Sequence, residues 1–492
     1  MKSILRFGLV ALLLFVSTLS ISLGVQRTVY ALDHLRAADE EMRTFVHVYD
    51  EVLRNYVDIE EATPATLMEG AIYGMLQTLD PYSQFFPPTE YKKFNEQTQG
   101  EFGGLGIRIV IARPDARWLP GWLTVVEPIT NTPATRCKAE LDGKEFVGLK
   151  PDDKIVEIEG ESTRNMPIDK AVDMLKGPPG TTVSIKVARK PVEGGDPILL
   201  DFTIERDTIA VPPIEEDDVR MISKDIGYLW LKDFTSHAAE ATTAAIEILQ
   251  ASGMKALVVD LRDNTGGLLP VAIDICDLFA EKGEAVVSVD SRNDRDDETY
   301  WSRNPPLTNV PLAILVNQHS ASASEIVAGC IQDHTRGLIV GPAPGVTTYG
   351  KGSVQTVLKL ENGSGLKLTT AYYYTPSKQR IHKHGIVPDA WSDMTMEYWL
   401  LLKNADKVGT LKPGMIANQS DEKEKKKDAE KEVSMSELLG TVSDESETKD
   451  LYDKQLFLAA QLLGVKLDQL GLRHKVEATV AEKAEESSDP SR

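Results

Sequence analysis

The chain has 492 residues, 42% of them hydrophobic, and 75 acidic against 54 basic side chains give a formal net charge of −21. At roughly 150 residues per domain there is room for about three domains with ordinary cores. The acidity excludes a nucleic-acid backbone as the main partner, because phosphate binding needs a basic face. Cys137, Cys276 and Cys330 are too few for a disulfide framework and show no Cys-x-x-Cys spacing. With eight scattered histidines and no His-Glu-x-x-His, neither a metal nor another cofactor is expected.

At the amino end, Lys2 and Arg6 precede an uncharged apolar stretch over residues 7 to 26. At about 1.5 Å per residue it just crosses a bilayer core of ~30 Å. Residues 1–31 therefore fit either a cleaved signal peptide, with Val29-Tyr30-Ala31 ending in a small residue, or a retained membrane anchor. Either would export the remainder of the chain. Residues 35–95 read as a helical region. Residues 40–56 and 64–79 have helical apolar spacing, Thr63 is placed to cap the second helix with Pro64 at its first position, and Leu79-Asp80-Pro81-Tyr82-Ser83 ends it. Their apolar faces would pair within the chain, or serve a homo-oligomer or a regulatory partner.

Residues 96–208 form the next unit. Gly100-Glu101-Phe102-Gly103-Gly104-Leu105-Gly106-Ile107 precedes strand-like runs at 123–126 and 154–158, a helix near 168–175 and a strand over 182–187. Together with Leu149-Lys150-Pro151-Asp152-Asp153-Lys154-Ile155 and Gly160-Glu161, this pattern resembles a PDZ domain. The resemblance implies that a peptide adds as a strand to the sheet edge and that N–H groups of a Gly-rich loop capture its terminal carboxylate. Gly103, Gly104, Leu105, Gly106 and Ile107 would form that loop, with Leu105 and Ile107 near the apolar pocket. The partners implied are protein or peptide carboxy termini. Residues 118–122 and 135–148 are longer than usual and would modify the groove.

Over 220–398, apolar runs at 226–231, 257–261, 286–289, 312–316 and 338–340 alternate with several helices, which favours an α/β sheet. A strand hairpin comes next, 354–360 and 366–373 around Glu361-Asn362-Gly363-Ser364-Gly365. The run 257–261 leads through Arg262-Asp263-Asn264-Thr265 into Gly266-Gly267, where positive φ and close backbone approach are permitted. Asn317-Gln318-His319-Ser320-Ala321-Ser322-Ala323-Ser324-Glu325-Ile326 succeeds another strand and opens a helix, which puts Ser322 at the turn. First-turn N–H groups there lack intrahelical partners and would stabilise an oxyanion. Ser322-Ala323-Ser324-Glu325 is also a Ser-x-x-Glu capping box, which needs no chemistry. A buried Lys351 would serve as base, since desolvation disfavours its ammonium form. Gln355, four residues on, is placed to hold the amine. Ser320 and Ser324 replace the glycines of a nucleophile elbow, and Glu325 replaces the lysine of Ser-x-x-Lys enzymes. His319 and His334 keep a Ser-His-Asp triad as an outside alternative but read as surface or packing residues.

With Ser320 to Glu325, Gln332-Asp333 and Gly350-Lys351-Gly352-Ser353-Val354-Gln355 in place, the chain resembles the carboxy-terminal processing (tail-specific) serine proteases. The resemblance spans roughly residues 40 to 395. It implies Ser322 as nucleophile, Lys351 as general base, Gln355 as the residue orienting it, Asp333 in a supporting role, and an oxyanion-hole N–H from Gly267, with Gly266 as second choice. One departure is the 342–349 segment, about four residues longer than the family's link, which must fold outward for Lys351 to reach Ser322. Residues 416–450 are charged and read as a linker. Residues 451–475 carry an apolar helical pattern able to dock, and 476–492 form a polar tail. The expected whole is an α/β multidomain chain: an exported, periplasmic or membrane-tethered bacterial-type serine endopeptidase with a Ser-Lys dyad. The alternative is an inactive PDZ adaptor that binds carboxy termini.

Overall fold

The computed structural model describes residues 39–58, 60–112, 119–191, 195–292, 297–405, 407–410 and 451–470. The expected leader at 1–31, the 416–450 linker and the 476–492 tail lie outside the described residues. Two compact units emerge: one takes the chain up to Phe86 together with 357–360 and 365–368, the other takes the remainder.

In the first unit, residues 39–55 are helical and Pro64–Gln77 forms a second helix. Thr63 accepts the Thr66 N–H at 3.1 Å, so the cap and the proline act as the sequence predicts. Asp80 stops the helix by accepting the Tyr82 and Ser83 N–H groups at 2.7 and 2.9 Å. The turn delivers Gln84–Phe86 to antiparallel pairing with residues 365–367, and Phe85 packs edge-on against Tyr73.

In the second unit, the PDZ-like sheet has six antiparallel strands: five in the order Ile198–Glu205, Thr182–Arg189, Lys154–Ile158, Leu123–Pro128, Ile107–Ile111, and the short Glu161–Ser162 paired with Lys154–Ile158. Alternate side chains of these strands bury Leu123, Val125, Ile155, Ile158, Val183, Ile185, Val187, Leu200, Phe202 and Ile204 with Ala171 and Leu175 of the helix Ile168–Leu175. The strand Ile107–Ile111 lies at one end of this sheet.

The same unit contains a six-stranded sheet in sequential order: β1 (Val219–Met221), β2 (Ile226–Trp230), β3 (Ala256–Asp260), β4 (Leu312–Leu315), β5 (Leu338–Gly341) and β6 (Ala390–Trp391). Only β1 runs antiparallel to its neighbour. The central strands β3, β4 and β5 are apolar up to the buried Asp260 that ends β3, because both faces are covered. Leu257, Val259, Leu312 and Ile314 face helices α1 (Ala238–Ala251), α2 (Leu269–Asp277) and α3 (Ala323–Asp333). Ala256, Val258, Ala313 and Leu315 instead meet Leu456, Ala459, Ala460 and Leu463 of α4 (Lys454–Gln469). The apolar pattern at the carboxy end is thus a docked helix that closes the second face.

One strand departs from the expected sheet. Residues 286–289, expected among the α/β strands, belong to Ala285–Ser291, which pairs antiparallel with Glu298–Trp301 and with 371–374 of Gly365–Tyr374. Only six residues separate Ser291 from Glu298, too few for the crossover that a parallel partner requires.

Candidate active site

The carboxyl ends of β3, β4 and β5 carry the three segments singled out in the sequence. After β4, Asn317 accepts the Asp263 N–H at 3.0 Å and returns its amide to Asp263 Oδ1 at 2.9 Å. Ala321 N–H and Ser324 Oγ both donate to the Asn264 carbonyl, at 3.0 and 2.9 Å. Ser320 Oγ donates to the Leu261 carbonyl at 2.7 Å. Two of the three serines are therefore consumed in stitching the turn after β4 to the turn after β3. Ser320 and Ser324 are fully buried, whereas Ser322 keeps 7% exposure.

Ser322 sits at the start of α3 with φ 55° and ψ −112°. A non-glycine residue in that region costs of order 1–3 kcal/mol and persists only where its surroundings hold it. Glu325, also fully buried, does the holding. Its Oε2 accepts the N–H of Ser322 at 2.9 Å and that of Lys351 at 2.8 Å, and its Oε1 accepts the Gly350 N–H at 2.6 Å and the Thr348 hydroxyl. Two backbone nitrogens sharing one oxygen lie no more than about 6 Å apart. The residue that looks like a helix cap is thus the bolt between the Ser322 turn and the Lys351 segment. Burial pushes the Glu325 carboxyl up from its ordinary value, and its four donors pull partly against that.

The long 342–349 segment folds outward. Ala343 to Val346 make a turn closed by the Val346 N–H on the Ala343 carbonyl at 3.2 Å, with Gly345 at φ 78°. Its start is held by Met394 N–H and Ser392 Oγ on the Pro342 carbonyl, at 2.9 and 2.7 Å. Its end is held by Tyr349 N–H on the Ser320 carbonyl at 3.0 Å. The extra residues leave the register of Lys351 against the serine turn intact.

The double glycine does what only glycine allows. A Cβ on Gly266, at φ 98°, would lie 2.6 Å from the Ala321 carbonyl oxygen and 2.8 Å from Ser322 Cβ. A Cβ on Gly267, at φ 156°, would lie 2.4 Å from the Phe234 carbonyl oxygen. The Gly266 N–H is engaged by Asn264 Oδ1 at 2.9 Å. The bridge to Phe234 uses the Gly266 carbonyl and the Leu268 N–H, which leaves the Gly267 N–H out of both.

The other expected residues make contacts of their own. Gln355 Nε2 donates to Ser353 Oγ at 2.8 Å and to Thr369 Oγ1 at 3.4 Å. Asp333, at the far end of α3 and therefore about 16 Å from Ser322 along the axis, accepts the Ser377 N–H at 2.8 Å and ties down that turn. His319 is exposed, and His334 contacts the Ala285 carbonyl at 2.7 Å.

Outside the PDZ-like sheet, Gly103 and Gly104 lie in the strand Glu101–Gly104, which forms a separate two-stranded sheet with Asp207–Ala210. A Cβ on Gly103 would meet the Gly177 carbonyl oxygen at 2.1 Å, and one on Gly106 the Thr132 side chain at 2.3 Å. Leu105, expected near the apolar pocket, is buried in the core cluster that contains Leu123, Ala134 and Leu175. Ile107 opens the edge strand and is half-buried.

Known proteins are similar to this chain over most of its length. The model for peptidase family S41 matches residues 225–391, that for the PDZ domain 124–189, and that for the activating protease CtpB N-terminal domain 22–88. The carboxy-terminal-processing protease of Bartonella bacilliformis is 36% identical over 376 residues, covering 75% of this chain and 79% of its own length. The chain belongs to the carboxy-terminal processing protease family. CtpA of Bacillus subtilis, another carboxy-terminal processing protease, is 32% identical across 73% of this chain and 71% of itself. A solved photosystem II D1 C-terminal processing protease aligns at 26% identity with a TM-score of 0.38, over 71% of this chain and 92% of its own. As a member of the family, the protein is a serine peptidase carrying a PDZ domain, a module for peptide carboxy termini.

Sequence reasoning assigns Glu325 only a capping role and gives Thr348 none. The Ser-x-x-Glu signal is visible in the sequence, but nothing local indicates that the carboxylate also serves residues 348 to 351. Glu325→Gln tests this. Its amide NH2 would face at least two of the four donors, at about 1–3 kcal/mol for each left unsatisfied. The expected result is a lower thermal midpoint and a loss of about 100-fold in kcat, measured by calorimetry and peptide turnover on the same preparation.

Proposed function

We propose that this protease is an exported endopeptidase that takes protein carboxy termini at its PDZ domain and hydrolyses peptide bonds with a Ser322-Lys351 dyad. The observation that carries the dyad is the single Glu325 oxygen shared by the Ser322 and Lys351 N–H groups. The neutral Lys351 amine takes the Ser322 Oγ proton as Oγ bonds to the scissile carbonyl carbon. The Gly267 N–H meets the oxyanion, Gln355 orients the Lys351 amine, and Asp333 supports the arrangement from the far end of α3. Collapse breaks the C–N bond, and the leaving nitrogen takes its proton from the Lys351 ammonium. Water, activated by the same amine, then hydrolyses the ester and frees Ser322. No cofactor enters these steps.

For tail recognition, the Gly103 to Ile107 segment would present N–H groups to the terminal carboxylate while the peptide adds beside Ile107–Ile111. Export to the bacterial periplasm or cell envelope rests on the basic and apolar leader. The chain then runs through leader 1–31, helical region 35–95, PDZ domain 96–208, protease core 220–398, linker 416–450, terminal helix 451–475 and tail 476–492. The adaptor alternative requires Lys351 to be displaced by the long 342–349 segment, and the outward turn at Ala343 to Val346 favours the enzyme.

The test compares an unstructured substrate ending in a free apolar carboxylate with the same chain amidated. Losing a charge-assisted contact to the backbone donors, at about 1.5–3 kcal/mol, should cut kcat/KM at least tenfold. Equal turnover of both would remove terminal recognition from the account.

A further inference from the structure

The first turn of α4 holds the ends of all three strands that carry the active site, although it lies 115 to 191 residues downstream of the groups it binds. Asp453 caps α4 by accepting the Leu456 N–H at 2.9 Å, and its carboxylate receives the Arg262 guanidinium twice, Nη1 at 2.9 Å and Nη2 at 2.6 Å. Arg262 also reaches back to Asp260 at the end of β3 through Nε at 2.9 Å, and Tyr228 gives its hydroxyl to the same carboxylate at 2.8 Å. Asp260, Arg262 and Asp453 are all buried. Gly409 seals the site: its N–H donates to Asp453 at 3.2 Å, and a Cβ there would lie 2.7 Å from the Tyr228 hydroxyl.

Two residues on, Gln455 Nε2 donates to the carbonyls of Val316 and Val340, at 2.8 and 2.7 Å. Val316 ends the run of β4 that leads to Ser322, and Val340 lies in β5, which leads to Lys351. Arg262 immediately precedes Asp263, which at φ 59° begins the turn to Gly267. Asp263 is itself held by Asn317, Trp399 Nε1 at 3.0 Å and Lys403 Nζ at 2.8 Å. Covering an apolar sheet face requires only the Leu and Ala side chains of α4. A paired buried charge and a bifurcated amide do something else: they fix strand ends in direction and register.

We infer that Asp453 and Gln455 are positioning residues for catalysis, and that α4 acts as a back-plate setting the oxyanion turn against the Ser322 turn and the Lys351 segment. This rests on the proposed dyad and on Gly267 as oxyanion donor. Neither residue touches substrate; each acts through Arg262 or through strand carbonyls.

The test uses the full chain. Asp453→Asn removes the charge that Arg262 needs, whereas Leu463→Ala opens a cavity nearly three turns further along the same helix, in its apolar contact with the sheet. Both should lower the thermal midpoint. Only Asp453→Asn should lower kcat at 25 °C, by about 10- to 100-fold, with KM and the affinity of a tail peptide for the PDZ domain within twofold of the parent. If Asp453→Asn does not fold, Gln455→Ala decides, since it removes two hydrogen bonds without stranding a charge and should lower kcat several-fold. Parental kcat in a folded Asp453→Asn or Gln455→Ala protein, or an equal kcat loss in Leu463→Ala, would overturn the inference. A parent that cuts no peptide would instead overturn the dyad on which it rests.

Discussion

Ser322→Ala should lose peptide cleavage by about 10⁴-fold or more, because nothing else in the turn can form the acyl bond. The neighbours cannot substitute: the Ser320 and Ser324 hydroxyls are both spent on backbone carbonyls and fully buried. Fold and tail binding should survive. The Ser322 N–H bond to the Glu325 carboxylate is a backbone bond that alanine retains, and only the capping contact of the Ser322 side chain is lost. The measurement is single-turnover cleavage beside titration of a tail peptide. Loss of binding together with cleavage would mean that the variant had unfolded the turn, and undiminished cleavage would place the nucleophile elsewhere.

Lys351→Ala should cost about 10²–10⁴-fold in kcat, the usual contribution of a positioned proton-transfer group. Lys351→Arg is the sharper variant. A guanidinium keeps the charge and the donors but cannot deprotonate in a protein, so it should be as inactive as alanine if the side chain is a base. An arginine variant with substantial activity would show that residue 351 supplies only positive charge. In both variants the Lys351 N–H to Glu325 bond is a backbone bond and remains, so the segment should keep its place. Equal thermal midpoints would establish that.

The features legible in the sequence and those hidden from it divide along a physical line. Thr63 with Pro64, the apolar runs of β2 to β5 and the docked apolar stripe of α4 depend on local chemistry and periodicity, and the chain carries that information within a few turns. The two glycines after β3 announce a close approach, although the atoms they approach, the Ala321 carbonyl and the Phe234 carbonyl, lie 55 and 33 residues away. Residues 286–289 read as part of the α/β sheet because a strand's spacing does not say which sheet it joins. Leu105 lies beside glycines in a loop-like motif, and its burial appears only once Leu123, Ala134 and Leu175 are brought around it. Glu325, Asp453 and Gln455 mark the limit most clearly. Each has an adequate local role as a cap or first-turn residue, and each does its larger work on a segment that only the tertiary fold supplies.

The central claim is that Ser322 and Lys351 act as one unit, and the most direct measurement is the double-mutant comparison of Ser322→Ala, Lys351→Ala and the two together, by mass spectrometry of a single unstructured substrate with a free apolar carboxy terminus. Residues acting as a unit are grossly non-additive. The account predicts that the double variant is no slower than Ser322→Ala alone. Losses that multiply, with the double variant slower by the product of both single effects, would contradict it.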